Sequence, residues 1–329
     1  MQTSKNIVRA AIEFTGPERL PVVFPCYGNS DVRHVGWNQL GTGDNSKKHT
    51  HDDWGCGWER SDVKNMGQVT HHPLKDWSAA DGFAWPDPDD PKYYEGMEDK
   101  FVATDGYYIK TDIFMLLFER MHSLRGFEET LCDLYLEQEK IGRLADRIVE
   151  FDIRVIENIA GRFPGQIDGF SFTDDWGTEL SLMIDPLLWR DFFKPRYKRI
   201  FAAVHAAGWH VWMHSCGKVN DIIGDLIEIG CDVMNLQQPR LLGIEAVGEK
   251  YAGKICFETL CDIQHSIPFE SDEYMEAEAK RLLSCWATDT GGLIFSDYGD
   301  DAAIGAAPDK KKAMYDAFLK HDRWRFRPG

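Results

Sequence analysis

Short apolar runs recur through the second half of the chain, at 167–173, 210–215, 232–237, 254–259 and 292–297, and each is followed by a segment whose apolar positions have helical spacing. Alternation of this kind predicts parallel strands joined by helical crossovers. Two further runs come earlier: 20–24, ended by Pro25-Cys-Tyr-Gly28, and 106–113. Helical spacing is also present over 4–14 and over 114–163, the latter interrupted at Leu124-Arg-Gly126. Asp185-Pro186 is an N-cap followed by proline at the first helical position, and Gly208 closes that helix after an interruption at Lys194-Pro195. Asn220 is placed to cap a helix that ends near Gly230. Seven strands with these crossovers predict a TIM-type (β/α)8 barrel, with an open doubly wound sheet as the alternative. No Gly-x-Gly-x-x-Gly follows a strand, which counts against the dinucleotide-binding form of that alternative.

Residues 29–100 break the pattern. They are rich in His, Asp, Gly, Trp and Pro, and Trp85-Pro-Asp-Pro-Asp-Asp-Pro91 is incompatible with helix or central strand. A stretch this long between regular elements is read as an insertion covering the barrel mouth, within one domain that spans 1–329. Trp54, Trp58, Trp77 and Trp85 argue against disorder. Around Cys56 they are expected to form a satellite core rather than an aromatic lid.

Composition narrows the function. The chain has 329 residues and a formal charge of −17, which disfavours nucleic acid as a partner. No run is long enough to span a membrane and 1–16 is too polar for a signal peptide, so a cytoplasmic protein is expected. The eight cysteines form no framework and are read mostly as buried thiols. Oligomeric state is left open, a homo-oligomer included.

In a barrel, chemistry belongs where strands end. Those ends carry Asp174, Asp175 and Glu179; His214 and Cys216; Asn235, Gln237 and Gln238; Cys261 and Asp262; and Asp297, Tyr298, Asp300 and Asp301. Turn chemistry alone also favours Asp and Gly there. His214 and Cys216 lie two apart at the end of a strand, so their side chains share a direction. Three readings compete. A metal site would use imidazole and thiolate, with further ligands from Glu179, Glu258, Asp297 or 300–301. Metal-free acid/base chemistry would use Asp174, Asp175 and His214. The third reading is a hydrogen-bonded core histidine beside a buried thiol. Tyr27, at the end of the first strand, is a candidate ligand contact. Arg120 and Arg125 are expected to pair with Glu128 and Glu129, and Cys261 to be a packed thiol.

Several blocks together resemble the uroporphyrinogen decarboxylase superfamily: Phe170–Glu179, Trp189–Lys198, Val204–Gly208, His214–Gly217, Gly230–Asn235 with Gln238-Pro239, and, earlier, Gln68-Val69, Pro73–Trp77, Phe118–Met121 and Leu124–Gly126. The resemblance covers most of the chain and implies a (β/α)8 barrel. The decarboxylases of the superfamily are cofactor-free and grip a polyanionic substrate through an arginine-rich N-terminal segment. Here no arginine lies between Arg19 and Arg33. The resemblance is nearer the cobalamin-dependent methyltransferases, whose zinc-dependent members carry His-x-Cys at the position of His214 and Cys216. It implies a metal at His214 and Cys216; the strand-end residues complete the expected site, with Asp297 as third ligand, acid/base roles for Asp174, Asp175 and His214, and substrate contacts from Tyr27, Glu179, Gln237, Gln238 and Tyr298. The chain departs from that pattern in having Asn235, Gln237 and Gln238, not an acidic ligand, on the next strand, and no cysteine after the last. The implied activity is methyl transfer from a small methoxy or methylamine donor to a corrinoid, free or on a partner protein, with zinc at the mouth. The alternatives are a metal-free carboxy-lyase and a non-catalytic small-molecule-binding barrel.

Overall fold

The computed structural model describes residues 2–38, 47–61 and 67–325. In chain order the strands are β1 (Val22–Phe24), β2 (Asn29–Ser30), β3 (Val32–His34), β4 (His49–His51), β5 (Gly57–Glu59), β6 (Gln68–His71), β7 (Tyr108–Ile113), β8 (Gly169–Thr173), β9 (His210–His214), β10 (Val233–Leu236), β11 (Cys256–Thr259) and β12 (Leu293–Ser296). Strands β4, β5 and β6 make a small antiparallel sheet; the other nine form one sheet in the order β2-β1-β12-β11-β10-β9-β8-β7-β3. Every pairing in the larger sheet is parallel except β1 with β2. This is a TIM-type barrel, nearly closed.

Asp31 bridges the two ends of that sheet. The chain runs up β1, back along the two residues of β2, and turns upward again at Asp31 into β3. The Asp31 backbone N–H donates to Val22 O at 2.7 Å, and its carbonyl accepts from Tyr108 N at 3.0 Å. Its carboxylate, 2% exposed, accepts from Val22 N, Ser4 Oγ and both Arg19 terminal nitrogens. The predicted seven strands are present, and β3 is the eighth parallel one. It lay inside the segment read as an insertion because Val-Arg-His has one buried residue and no apolar run. The intervening segment begins after β3 and runs to β7; its residues 39–46 and 62–66 lie outside the described residues.

The described part of that segment is tied to the barrel through Asp52. This buried carboxylate accepts from Trp54 N, Cys56 N, Trp58 Nε1 and, at 3.1 Å, Arg120 Nη1. Trp54 and Trp58 belong to the main core rather than to a satellite. The expected pairing of the arginines with Glu128 and Glu129 is corrected: Arg120 pairs with Asp52 and Arg125 with Asp133, both partners lying closer to the core. Outside the barrel, the helix Gln138–Arg162 buries Ile141, Leu144, Ala145, Ile148, Val155, Ile156 and Ile159 at three- and four-residue spacing, packing against neighbouring helices.

Strand alternation divides the interior into two levels. At the lower level Val32, Tyr108, Trp212, Val233, Cys256 and Ile294 form an apolar cluster, closed from below by Val8, Ala11 and Ile12 of the helix Ser4–Ile12. Two residues further along the same strands the inward side chains are Lys110, His214, Asn235 and Glu258, and an open cavity begins.

Candidate active site

The cavity measures about 700 Å³, within the usual size of a small-molecule site. Its wall includes Asp112, Glu119, Asp175, Glu258, Asp297 and Asp300, with Lys110 the one lysine or arginine among the described lining residues. Lys110 is drawn toward the floor, its Nζ 4.5 Å from the Trp212 ring centroid and 3.9 Å from a Glu258 oxygen. Gly67 and Gln68, at the start of β6, reach the same cavity from the small sheet.

The His214 end of β9 carries the most organised chemistry. β10 pairs with β9 so that Asn235 stands beside His214, and His214 Nδ1 lies 2.6 Å from Asn235 Oδ1. An amide oxygen only accepts, so Nδ1 carries the proton and Nε2 presents its lone pair. That lone pair faces Cys216 Sγ at 3.3 Å and Asp175 Oδ1 at 3.6 Å. The Cys216 backbone N–H holds Asp175 Oδ1 in turn at 2.8 Å. One ligand atom from each of Asp175, His214 and Cys216 lies within 4.8 Å of the other two.

These residues fit a metal. Two atoms bound to one tetrahedral zinc at ordinary bond lengths stand about 3.4–3.6 Å apart, close to the two distances measured from Nε2. The imidazole is oriented from behind by an acceptor, as metal-bound histidines commonly are. Burial, and then the neighbouring Asp175, push the Cys216 thiol well above its ordinary pKa, so the sulfur alone is a poor nucleophile or ligand. A divalent cation among the three atoms would reverse that balance.

The third atom of this cluster comes from Asp175 and not from Asp297. Asp297 lines the same cavity, but its carboxylate, with 6% side-chain exposure, is held by Lys311 Nζ at 2.8 Å. Asp174, expected beside Asp175 in catalysis, is also corrected. It is fully buried and turned away from the cavity, accepting the backbone N–H groups of Leu117, Phe118 and Glu119 at the start of the helix Phe118–Arg125, as well as Tyr197 Oη. Burial pushes its pKa up to about 6, against the downward pull of those donors.

Of the expected substrate contacts, Gln237 and Tyr298 line the cavity. Gln238 is buried and accepts Gly217 N–H at 2.6 Å, which fixes the loop after β9. Glu179 is exposed in a second groove of about 680 Å³ that shares Cys216, Tyr298 and Ala303 with the cavity. Tyr27 packs against Phe24 and Tyr315, outside the cavity wall. Cys261 is a buried thiol.

Glu119 was missed. It occupies the first turn of Phe118–Arg125, lines the cavity, and accepts from Thr173 Oγ1 at 3.3 Å. Burial first, then Asp174 and Asp175, raise its pKa well above the ordinary carboxylate range, which favours its neutral form. Glu119 opens no strand-end loop; it lies in the Phe118–Met121 block quoted for the resemblance, and the fold brings it to the mouth.

Comparison with known proteins places these features. Residues 114–321 match the family described as uroporphyrinogen decarboxylase (URO-D). A methyltransferase from Methanosarcina mazei has a similar structure, with a TM-score of 0.70 and 15% identity over 97% of this chain and 99% of that one. Two other solved structures align less well. They are a D-psicose 3-epimerase in the presence of D-fructose (TM-score 0.39, 12% identity, 68% of this chain and 81% of that one) and the IOLI protein with a bound zinc atom (0.41, 12%, 69% and 83%). No curated protein sequence matches significantly.

Proposed function

Because the chain belongs to the uroporphyrinogen decarboxylase family, we propose that it is a methyltransferase moving a methyl group from a small methylated molecule to a corrinoid, with zinc held by Asp175, His214 and Cys216. The observation that carries this reading is the convergence of those three donors on the wall of a cavity of small-molecule size. Zinc there would supply Lewis acidity, drawing electron density from the methylated atom of the donor. Asn235 keeps the proton on His214 Nδ1 and so keeps Nε2 available. The Cys216 N–H holds Asp175 Oδ1 toward the same point. Glu119, protonated on the wall, is a hydrogen-bond donor for the departing heteroatom. The second groove reaches Cys216 and Tyr298 from the other side, giving the corrinoid an approach separate from that of the methyl donor.

A decarboxylase acting on a polyanion is disfavoured by a wall whose described residues are mostly acidic, with one lysine among them. The decisive experiment loads the purified protein with zinc, measures bound metal, and supplies methoxylated aromatics and methylamines with reduced corrinoid, following corrinoid methylation by absorbance. About one zinc per chain is expected, and His214→Ala is expected to lose the metal and at least about 100-fold in rate. Protein without stoichiometric metal, together with full activity in His214→Ala, would sink the proposal. Turnover of uroporphyrinogen would replace it with the carboxy-lyase reading.

A further inference from the structure

We propose that the small molecule taken into the cavity is a cation, an ammonium compound of about the size of choline. The inference rests on the reading of this cavity as the substrate site, and goes beyond it by fixing the charge of the ligand.

The first observation is the charge of the wall: among the described lining residues six carboxyl groups stand with one lysine, and even with Glu119 favoured in its neutral form and Asp297 paired with Lys311 the balance stays negative, in a space walled also by the low-dielectric surfaces of Phe114, Phe172 and Trp212. Such a cleft concentrates positive solutes and repels negative ones. Zinc at Asp175 and Cys216 would be balanced by its own ligands, leaving the remaining carboxylates uncompensated by it.

The second observation is Glu258. It is 5% exposed, inside the barrel, with its side chain on the cavity wall. Among the described residues it accepts no hydrogen bond, and the lysine it pairs with stands 3.9 Å away, beyond hydrogen-bonding distance and drawn over Trp212. Buried carboxylates are ordinarily hydrogen-bonded, so Glu258 has acceptor capacity turned toward the cavity.

The carboxylates also do not converge. Among the described residues, the one group of three or more potential ligand side chains close enough to hold a metal ion is Asp175, His214 and Cys216. Carboxylates spread around a cavity fit an organic cation, whose charge is distributed over a methylated surface, better than a second metal ion. Glu258 pairs in register with Asn235, which pairs with His214, so two strand spacings of about 4.8 Å separate the Glu258 and His214 backbones. An ammonium compound of a few bonds' length spans that gap, with its charge near Glu258 and a methylated heteroatom at its other end toward His214.

The test is calorimetric binding to the purified, zinc-loaded full chain, without corrinoid. The probes are choline, its uncharged carbon isostere 3,3-dimethylbutan-1-ol, and 3-methoxybenzoate. Choline is expected to bind at least 10-fold more tightly than the isostere, the preference shrinking as salt is raised, and 3-methoxybenzoate is expected to bind most weakly. Glu258→Gln is expected to remove most of the preference. Should that variant fail to fold, Asp300→Asn at the rim is expected to reduce it by a few-fold. Equal binding of choline and its isostere, tighter binding of the benzoate, or no binding of any probe at millimolar concentration would overturn the proposal. Because this test reads binding alone, choline binding here together with no corrinoid methylation from any donor in the absorbance assay would count against the methyltransferase reading alone. Methyl transfer from 3-methoxybenzoate, with choline excluded, would count against the cation alone.

Discussion

At the floor of the barrel the strands turn Tyr108, Trp212, Val233 and Cys256 inward, whereas two residues later the same strands turn Lys110, His214, Asn235 and Glu258 inward. The backbone is the same and the pairing register continues through both levels. Only the side chains differ, and with them what a substitution can do. The floor is closed on every side, with the helix Ser4–Ile12 packed beneath it, so a change there acts on folding. The mouth is open to a cavity, so a change there acts on what enters. Period-two alternation thus lets one short strand serve a core and a site.

The contrast is broken most directly at the floor. Val233 is fully buried among apolar neighbours, and Val233→Asp places a carboxylate there with no partner. The expected cost is about 3–5 kcal/mol, seen as a lower urea midpoint or as failure to obtain folded protein. A variant as stable as the parent would mean that water reaches the floor and that the two levels are not distinct.

One level up, Asn235 is the sharper probe, because it acts through His214. Asn235→Leu keeps the approximate volume and removes the acceptor of the Nδ1 proton. Zinc affinity is expected to fall about 10–100-fold, with the urea midpoint nearly unchanged, and Asn235→Asp is expected to restore it. A merely structural Asn235 would shift stability and leave metal affinity alone.

The two levels were not equally legible in the sequence. Seven barrel strands stood out as apolar runs because a parallel strand covered on both faces needs them. β3 did not, since its arginine and histidine are exposed and it meets β7 through backbone pairing and a polar His34–Asp112 contact rather than through an apolar run. At the site, His214 and Cys216 were legible because strand spacing fixes their common direction. Their third companion was not. Asp297 follows its strand as directly as Asp175 follows β8, and whether a carboxylate meets Lys311 or His214 depends on a helix nearly a hundred residues from the histidine. Glu119 was still less visible, coming from a helix start rather than a strand end.

The adjacent pair Asp174 and Asp175 carries the comparison down to consecutive residues, one turned into the fold and one into the cavity. Asp174 takes up three N–H groups at the start of Phe118–Arg125, groups that a helix leaves without partners of its own. Asp174→Asn replaces one accepting oxygen by a donor that faces those N–H groups, and the expected loss is about 1–2 kcal/mol in urea unfolding. Zinc affinity should change by less than about 2-fold, because none of the three cluster atoms belongs to Asp174. Asp175→Asn should do the reverse, weakening the metal while leaving the midpoint in place, since its carboxylate is 38% exposed and the backbone N–H it accepts is that of Cys216 in the site loop. If both variants lost metal and stability together, the carboxylates would be acting as one coupled unit, and the division between the level that holds the fold and the level that holds the ligand would fail at the point where it is drawn most finely.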